Sequence, residues 1–381
     1  MRRGVLIILS LAVLGTLISG PAQAVPGNDN FANATNVPVL DYATTIGAEG
    51  ATTEPGELPF SCHPTGVGQT VWWKFTPGAK VHVKANTYES SYDTVLDLYH
   101  ADGPNLADLE EIACNDNVAA QKTSRVTQIL EAGQTYYFRI GSKTATPVTL
   151  KFRLKVRKWK VGITRGNDWF LNDLFDGTAD SVFEYGAASD FKLAGNWGGH
   201  GADTPWLRRG SLWLANDWFD ATFAKQFNYG ASSDWALLGD WDGQDEVLSP
   251  GVRRGNVWYL NNGTDGAADI VFAYGSSTDW PLVGDWDGDG DYTPGIRRGN
   301  VWYLNNNFDS THDIAVFAYG SSTDWPVVGD WNGDGKMTPG IVRKGVWYLS
   351  NDFDADHDIP AFGYGSATDR PIVGDWDGIV E

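Results

Sequence analysis

Cysteine and positive charge are what this chain has least of. Its 381 residues include two Cys, and 28 Lys and Arg stand against 48 Asp and Glu, a net charge of −20. The cationic deficit excludes nucleic acid as a partner, because phosphate must be neutralised by clustered Lys and Arg. Anionic membrane surfaces are disfavoured for the same reason. No CxxC pair exists, so neither a structural zinc site nor a thioredoxin-like site is offered. The six His are scattered without HExxH spacing and read as surface or internally satisfied side chains. Gly-x-Ser-x-Gly and phosphate-loop motifs are also missing. The one apolar run, Val5 to Ile18, is shorter than the roughly 20 residues a membrane span needs.

What is present builds cores. The chain is 42% apolar with 45 Gly and 18 Trp, which excludes a disordered acidic tail, and its length suggests two domains. Arg2 and Arg3, the apolar run, Pro21 and Ala22-Gln23-Ala24 together read as a secretory signal over residues 1–24, cleaved after Ala24. The mature protein is therefore expected to be secreted, without membrane insertion. Export makes the cysteines informative, since an oxidising compartment favours a Cys62–Cys114 disulfide.

The chain divides near Trp159. Residues 25–158 hold 14 acidic and 12 basic side chains, whereas residues 159–381 hold 34 and 14. At the junction, Lys151 to Lys158 alternates charged and apolar residues and reads as a Lys-guarded edge strand. The second part is a repeat. Gly-Asp-Trp recurs at 239–241, 284–286, 329–331 and 374–376, each 45 residues apart, and Gly195-Asn196-Trp197 is a degraded fifth copy. Tyr185, Tyr229, Tyr274, Tyr319 and Tyr364 keep step, as do Trp169, Trp213, Trp258, Trp302 and Trp347 and Arg165, Arg209, Arg254, Arg298 and Arg343. Each unit reads as four short strands between Gly/Asn/Asp turns, with no helical period. Units of this length mean a propeller or a solenoid. The region opens on a second strand, Val161 to Arg165, and closes on a first strand, Arg370 to Trp376. Pairing of those two would close a ring, so the expectation is an all-β chain ending in a five-bladed β-propeller of ~45-residue repeats over 159–381.

Here the residues resemble a known family. The turn Asp285-Trp286-Asp287-Gly288-Asp289-Gly290-Asp291-Tyr292-Thr293 resembles the calcium loop of FG-GAP/VCBS-like propeller repeats, over residues 159–377. It departs from them at Thr293, where an Asp is usual, and in the Tyr-Gly-Ser-Ser-Thr-Asp-Trp-Pro segment. Residues 25–158 resemble the jelly-roll β-sandwich of bacterial pre-peptidase C-terminal (PPC) domains. The stretches concerned are Asn28 to Phe31, Thr70 to Phe75, Tyr92 to Leu96 and Thr135 to Ile140. Such domains accompany another module and assist secretion, binding or surface retention.

Two constellations carry chemistry. Calcium takes six to eight oxygen ligands, and a Gly lets the loop curl round it. Asp285, Asp287 and Asp289 with the carbonyl of Asp291 form one candidate set; Asp330, Asn332 and Asp334 with the carbonyl of Lys336 form the next. The other loops have lost acids, as at Asn196 to His200 and Asp240 to Gln244, or are cut short, as at Asp375 to Gly378. Asp93 and Asp116 are a lesser candidate pair in the first domain. The second constellation is Trp235, Trp280 and Trp325, with Asp234, Asp279 and Asp324 beside them. An exposed Trp beside an Asp suits a sugar, ring against C–H face and carboxylate accepting hydroxyl hydrogen bonds. The alternative is an Asp–Arg pair tying neighbouring strands, with Trp plugging the sheet edge. The remaining tryptophans read as core.

Near-identical units replicate a weak site, which gains strength by avidity on polymers, and offer no differentiated catalytic residues. The expected function is therefore non-enzymatic recognition of an extracellular glycan or cell-surface polymer, with structural Ca2+. The rivals are a polysaccharide hydrolase or lyase and a protein-binding adhesin.

Overall fold

Alternating apolar residues and Gly/Asn/Asp turns make this an all-β protein; among the described residues the helical turns are two short 3-10 turns, Phe31–Asn33 and Leu106–Asp108. The computed structural model describes residues 24–118, 121–144, 147–199, 201–216, 223–243 and 247–376. The signal-peptide reading of residues 1–23 and the expectations touching His200, Gln244, Asp377 and Gly378 lie outside the described residues.

The first part is two sheets over one core. Thr35–Asn36, Gly68–Phe75, Tyr136–Ser142, Thr94–Ala101 and Leu109–Asn115 form one sheet; Tyr42–Gly47, Thr149–Val156, Val81–Asn86 and Arg125–Leu130 form the other. Val71, Trp73, Leu96, Phe138 and Ile140 from the first meet Val83, Ala85, Leu150, Phe152 and Leu154 from the second in a single buried cluster. Cys62 and Cys114 are disulfide-bonded, with Cα atoms 5.6 Å apart. The expected edge strand is corrected: Thr149–Val156 lies between two neighbours. Its apolar alternates Leu150, Phe152 and Leu154 are the core, and the outward Lys151 and Arg153 pair with Glu89 at 2.7 and 2.6 Å. Strand alternation alone does not reveal whether the backbone edges are covered.

The second part is five four-stranded antiparallel sheets. Their first strands are Phe191–Gly195, Trp235–Gly239, Trp280–Gly284, Trp325–Gly329 and Arg370–Gly374. As the termini of the repeat region suggested, the fifth sheet is assembled from both ends of it. Lys160–Arg165 pairs antiparallel with Arg370–Gly374, Val161 opposite Val373 and Ile163 opposite Pro371. Each first strand touches the next, and Phe191–Gly195 touches Arg370–Gly374. Five backbone hydrogen bonds follow the same circuit. Leu248 N–H donates to Asn196 O, Tyr292 to Asp240, Met337 to Asp285, Trp159 to Asp330 and Asp203 to Asp375, all within 2.6–2.8 Å.

Glycine and tryptophan fit each other in these sheets. The Trp286 indole curls back over its own strand, and a Cβ on Gly284 or Gly295 would come within 3.0 or 2.9 Å of it. In the first sheet the position of Gly295 is taken by Trp206, which is fully buried and donates Nε1–H to Gly195 O at 3.1 Å. Trp197 of the degraded Gly-Asn-Trp is then displaced, edge-on to Trp206. The five Trp at 169, 213, 258, 302 and 347 are fully buried, as expected of core.

The sandwich docks on the side where the acidic loops lie. His82 N–H donates to Gly333 O at 2.7 Å, Lys80 Nζ to Gly288 O and Arg125 Nη2 to Gly199 O, both at 3.3 Å. Gly333 and Gly335 adopt left-handed conformations, and a Cβ there would strike Val156 or Ile129. Among the described residues these docking contacts do not reach the opposite side, where the first strands begin.

Candidate functional site

The Gly-Asp-Trp loops follow from short-range hydrogen bonding. Asp285 Oδ1 accepts from the N–H groups of Gly288 and Asp289 at 2.6 and 3.2 Å, and Oδ2 from Gly290 at 3.0 Å. This Asx-type turn holds the loop closed. It also brings carboxylate oxygens of Asp285, Asp287 and Asp289 within 4.8 Å of one another. Burial pushes Asp285 up to about 7, against its backbone donors, and Asp287 is raised by burial and then by Asp289. Three crowded acids are the donor set a hard cation relieves. Asp291 makes its N–H bond to Asp289 Oδ1 at 3.0 Å, and burial and neighbouring acids raise its carboxyl.

The next loop repeats the turn. Asp330 accepts from Gly333, Asp334 and Gly335 at 2.6, 3.2 and 2.9 Å, and burial lifts it to about 6. Asn332 Nδ2 donates to Asp334 Oδ2 at 3.0 Å, and Lys336 N–H to Asp334 Oδ1 at 2.9 Å. Thr293 and Thr338 are not turned into the loops: their hydroxyls donate to Gly284 O and Gly329 O, both at 3.3 Å. In the fifth loop side chains of the first part supply the cations. Asp375 Oδ2 is 2.8 Å from Lys84 Nζ and 3.0 Å from Arg157 Nε, all buried. Asp93 and Asp116 are likewise answered by a lysine, Lys143 Nζ at 3.3 and 2.9 Å.

On the side opposite these docking contacts the five first strands begin with Phe191, Trp235, Trp280, Trp325 and Arg370, one equivalent position in each sheet. Trp235 and Trp280 have ring centroids 5.2 Å apart, Trp280 and Trp325 5.0 Å. The Arg370 guanidinium closes the row, 5.6 Å from the Trp325 centroid and 3.6 Å from that of Phe191. Burial draws its pKa down to about 10, so it is cationic at neutral pH. Phe191 and Arg370 escaped the sequence reading because their residue types break the Trp pattern; the 45-residue spacing was the signal that would have found them.

The acids beside the tryptophans require a correction. Asp279 and Asp324, expected to accept sugar hydroxyls, have side chains 0% and 1% exposed. Each is held by a guanidinium, Arg298 or Arg343, through two bonds of 2.7–2.8 Å, and by the N–H of Ser276 or Ser321. The alternative reading, an Asp–Arg tie, describes them. Burial alone would raise both carboxyls, but the arginine and backbone donors outweigh it and hold them below the ordinary range. Asp190, Asp234 and Asp369 repeat the arrangement with Arg209, Arg254 and Arg165. The arginine ends of these pairs stay about half exposed, so this side presents cations although the chain is strongly acidic.

No protein-family model matches the chain, and no curated protein is found similar to it. Among solved structures, it is similar to the pre-peptidase C-terminal domain of collagenase from Bacillus anthracis, at 12% identity and a TM-score of 0.23, over 32% of this chain and 94% of that one. It is also similar to an Agrocybe aegerita lectin described as recognising non-reducing terminal N-acetylglucosamine. There the identity is 14% and the TM-score 0.32, over 54% of this chain and 66% of that one. Both likenesses are distant, and function is argued below from the residues.

Proposed function

We propose that the chain is a secreted, non-enzymatic glycan-binding protein. In this reading residues 25–158 are a PPC-like jelly-roll sandwich, and residues 159–381 a five-bladed propeller of FG-GAP type. Closure of the ring is supported by the circuit of hydrogen bonds from sheet to sheet and by the fifth sheet drawn from both ends of the region. Calcium in the Asp285 and Asp330 loops stiffens the side that carries the sandwich. The disulfide suits an oxidising compartment, and among the described residues no helix is long and apolar enough to cross a membrane.

The observation that carries glycan binding is the row Phe191, Trp235, Trp280, Trp325 on the side opposite the docking contacts of the sandwich. Indole faces cover sugar C–H surfaces; Trp235 is exposed, and Phe191, Trp280 and Trp325 are half-buried beside it. Asp279 and Asp324 do not touch the ligand in this scheme; they fix the connection from which Trp280 and Trp325 project. The test is a glycan and polysaccharide screen on the mature protein, in calcium and in chelator. Binding that falls at least about tenfold in Trp280→Ala and Trp325→Ala is the expected result. Release of soluble sugar would replace this reading with a hydrolase. Silence in both assays would leave a protein partner.

A further inference from the structure

Every seam of the ring but one is capped by a cation. Where the chain passes from one sheet to the next, the connecting turn presents two backbone carbonyls to the sheet before it. Arg208 donates to the carbonyls of Ala231 and Asp234. Arg253 donates to those of Ser276 and Asp279, and Arg297 to those of Ser321 and Asp324, each pair at 2.5 and 2.9 Å. At the seam before Phe191 the equivalent strand residue is Thr164, and a lysine from the next strand substitutes. Lys192 Nζ donates to Ala187 O at 3.0 Å and Asp190 O at 3.2 Å. Four of the five carbonyl pairs are thus capped by a cation.

The fifth is not. Val342 stands opposite Trp325 as Arg297 stands opposite Trp280, and an isopropyl group has nothing to donate. Among the described residues no side chain donates to the carbonyls of Ser366 and Asp369. A cavity of about 400 Å³ spans this seam, at Val342, Lys344, Ser366 and Asp369, and the capped seam beside it, at Arg297 and Asp324; Trp280 and Trp325 also line it. The same seam breaks the repeat a second time. Its turn reads Arg343-Lys344-Gly345, where the others have Gly directly after Arg. Lys344 therefore takes the left-handed conformation, φ 51°, that glycine takes elsewhere. Gly345 lies so close to the connection that a Cβ on it would be 2.7 Å from Gly365 O. Strain of this kind persists where surroundings enforce it and clusters at binding sites.

We infer that this seam is the ligand site, one per chain, and that it binds a saccharide whose neighbouring hydroxyls donate to the carbonyls of Ser366 and Asp369, with its ring against Trp325. The two carbonyls are arranged to accept from two donors of one group, as the guanidinium seams demonstrate. A cationic ligand would meet Lys344 in the wall, Arg370 beside Trp325 and the half-exposed Arg343. Vicinal hydroxyls supply the two donors without the charge. The inference rests on the glycan reading above and narrows it, from a replicated set of weak sites to a single built one.

The test is titration calorimetry of the mature protein with cellohexaose, xylohexaose, chitohexaose and a galacturonate hexamer. The expected result is one site per chain for the best binder. Val342→Arg, copying Arg297, should weaken it at least tenfold without lowering the melting temperature. Val342→Lys, copying Lys192, should do the same should the arginine variant fold poorly, and Val342→Ala should bind as the parent does. Three or more sites per chain, or full affinity in a folded Val342→Arg or Val342→Lys protein, would overturn the seam assignment while leaving glycan binding intact. No heat with any of the four sugars would overturn both.

Discussion

A single aspartate at the head of each inner strand shows how residue-scale chemistry decides what a surface is for. Asp279 is next to Trp280 in sequence, which made it a natural partner for a sugar, yet adjacency in a chain says nothing of direction. The Asp279 side chain turns to Arg298 and the Ser276 N–H, while the Trp280 indole packs against Trp235 and Trp325 of the adjacent sheets. The pairing of Asp with Arg was legible as an alternative because both recur in step; the choice between them needed geometry. Because the five carboxyls are held below their ordinary range, the sign of their pH dependence follows. Their contribution is present above the unfolded carboxylate pKa near 3.8 and is lost as pH falls through the lower folded values. Arg298→Gln should therefore cost about 1–3 kcal/mol in urea unfolding at pH 6, the range for a charged hydrogen bond with one partner left buried. The gap to the parent should narrow below about pH 3.8. A gap that stays constant from pH 6 to pH 3 would show that packing over Tyr303, not the ion pair, is what the arginine contributes.

At the scale of elements, strands and turns were legible and their neighbours less so. Glycine at 284 and 295 is dictated by the Trp286 ring lying across both, so the Gly-Asp-Trp and Pro-Gly-Ile motifs are two halves of one packing solution. Exchanging Gly for Trp206 in the first sheet shows the same rule from the other side. The strand Thr149–Val156 was legible as a strand but not as an interior one, since which strands lie beside it is set by tertiary order. The acidic loop sits between these cases: its Asx turn is local, and its cluster of acids is legible residue by residue. Calcium should stabilise the protein through this element. With affinities of about 10⁻⁴–10⁻³ M, usual for extracellular modules, 10 mM calcium should add about 1.4–2.7 kcal/mol per site by mass action. Calorimetric melting should show a calcium-dependent rise in Tm that is reduced in Asp287→Asn and again in Asp287→Asn with Asp334→Asn. An identical Tm in calcium and in chelator would remove the metal from the protein.

At the scale of the whole molecule, the sandwich and the five four-stranded sheets are joined by a buried charge cluster that no local pattern announces. Lys84 and Arg157 come from the first part, Asp375 follows the strand Arg370–Gly374, and Asp203 precedes the strand Thr204–Arg209 of the first four-stranded sheet. Asp203 and Asp375 are 172 residues apart in the chain, and the Asp375 N–H donates to Asp203 Oδ2 at 2.7 Å. Burial would raise the Asp375 carboxyl, but Lys84 and Arg157 outweigh it and hold it ionised, whereas Asp203 is lifted by burial to about 6. Asp375 thus pairs with two cations that Asp203 also faces, where the first and fifth sheets meet the sandwich. Removing it breaks the buried contacts of Lys84 and Arg157 with Asp375, and breaking a buried ion pair typically costs about 3–5 kcal/mol. The loss should fall on two events at once, because Asp375 contacts both Asp203 of the second part and Lys84 of the sandwich. Asp375→Asn is expected to lower the melting temperature and to expose the linker at residues 157–160 to proteolysis under native conditions. Lys84→Met, which keeps the Arg157 pair, should loosen docking with a smaller loss of ring stability. Equal resistance of parent and Asp375→Asn to a protease at the linker, at unchanged melting temperature, would mean that the sandwich is held by its backbone contacts to Gly333 and Gly288 alone. The face bearing Trp280 and Trp325 would then depend for its rigidity on the hydrogen bonds from sheet to sheet rather than on the sandwich behind it.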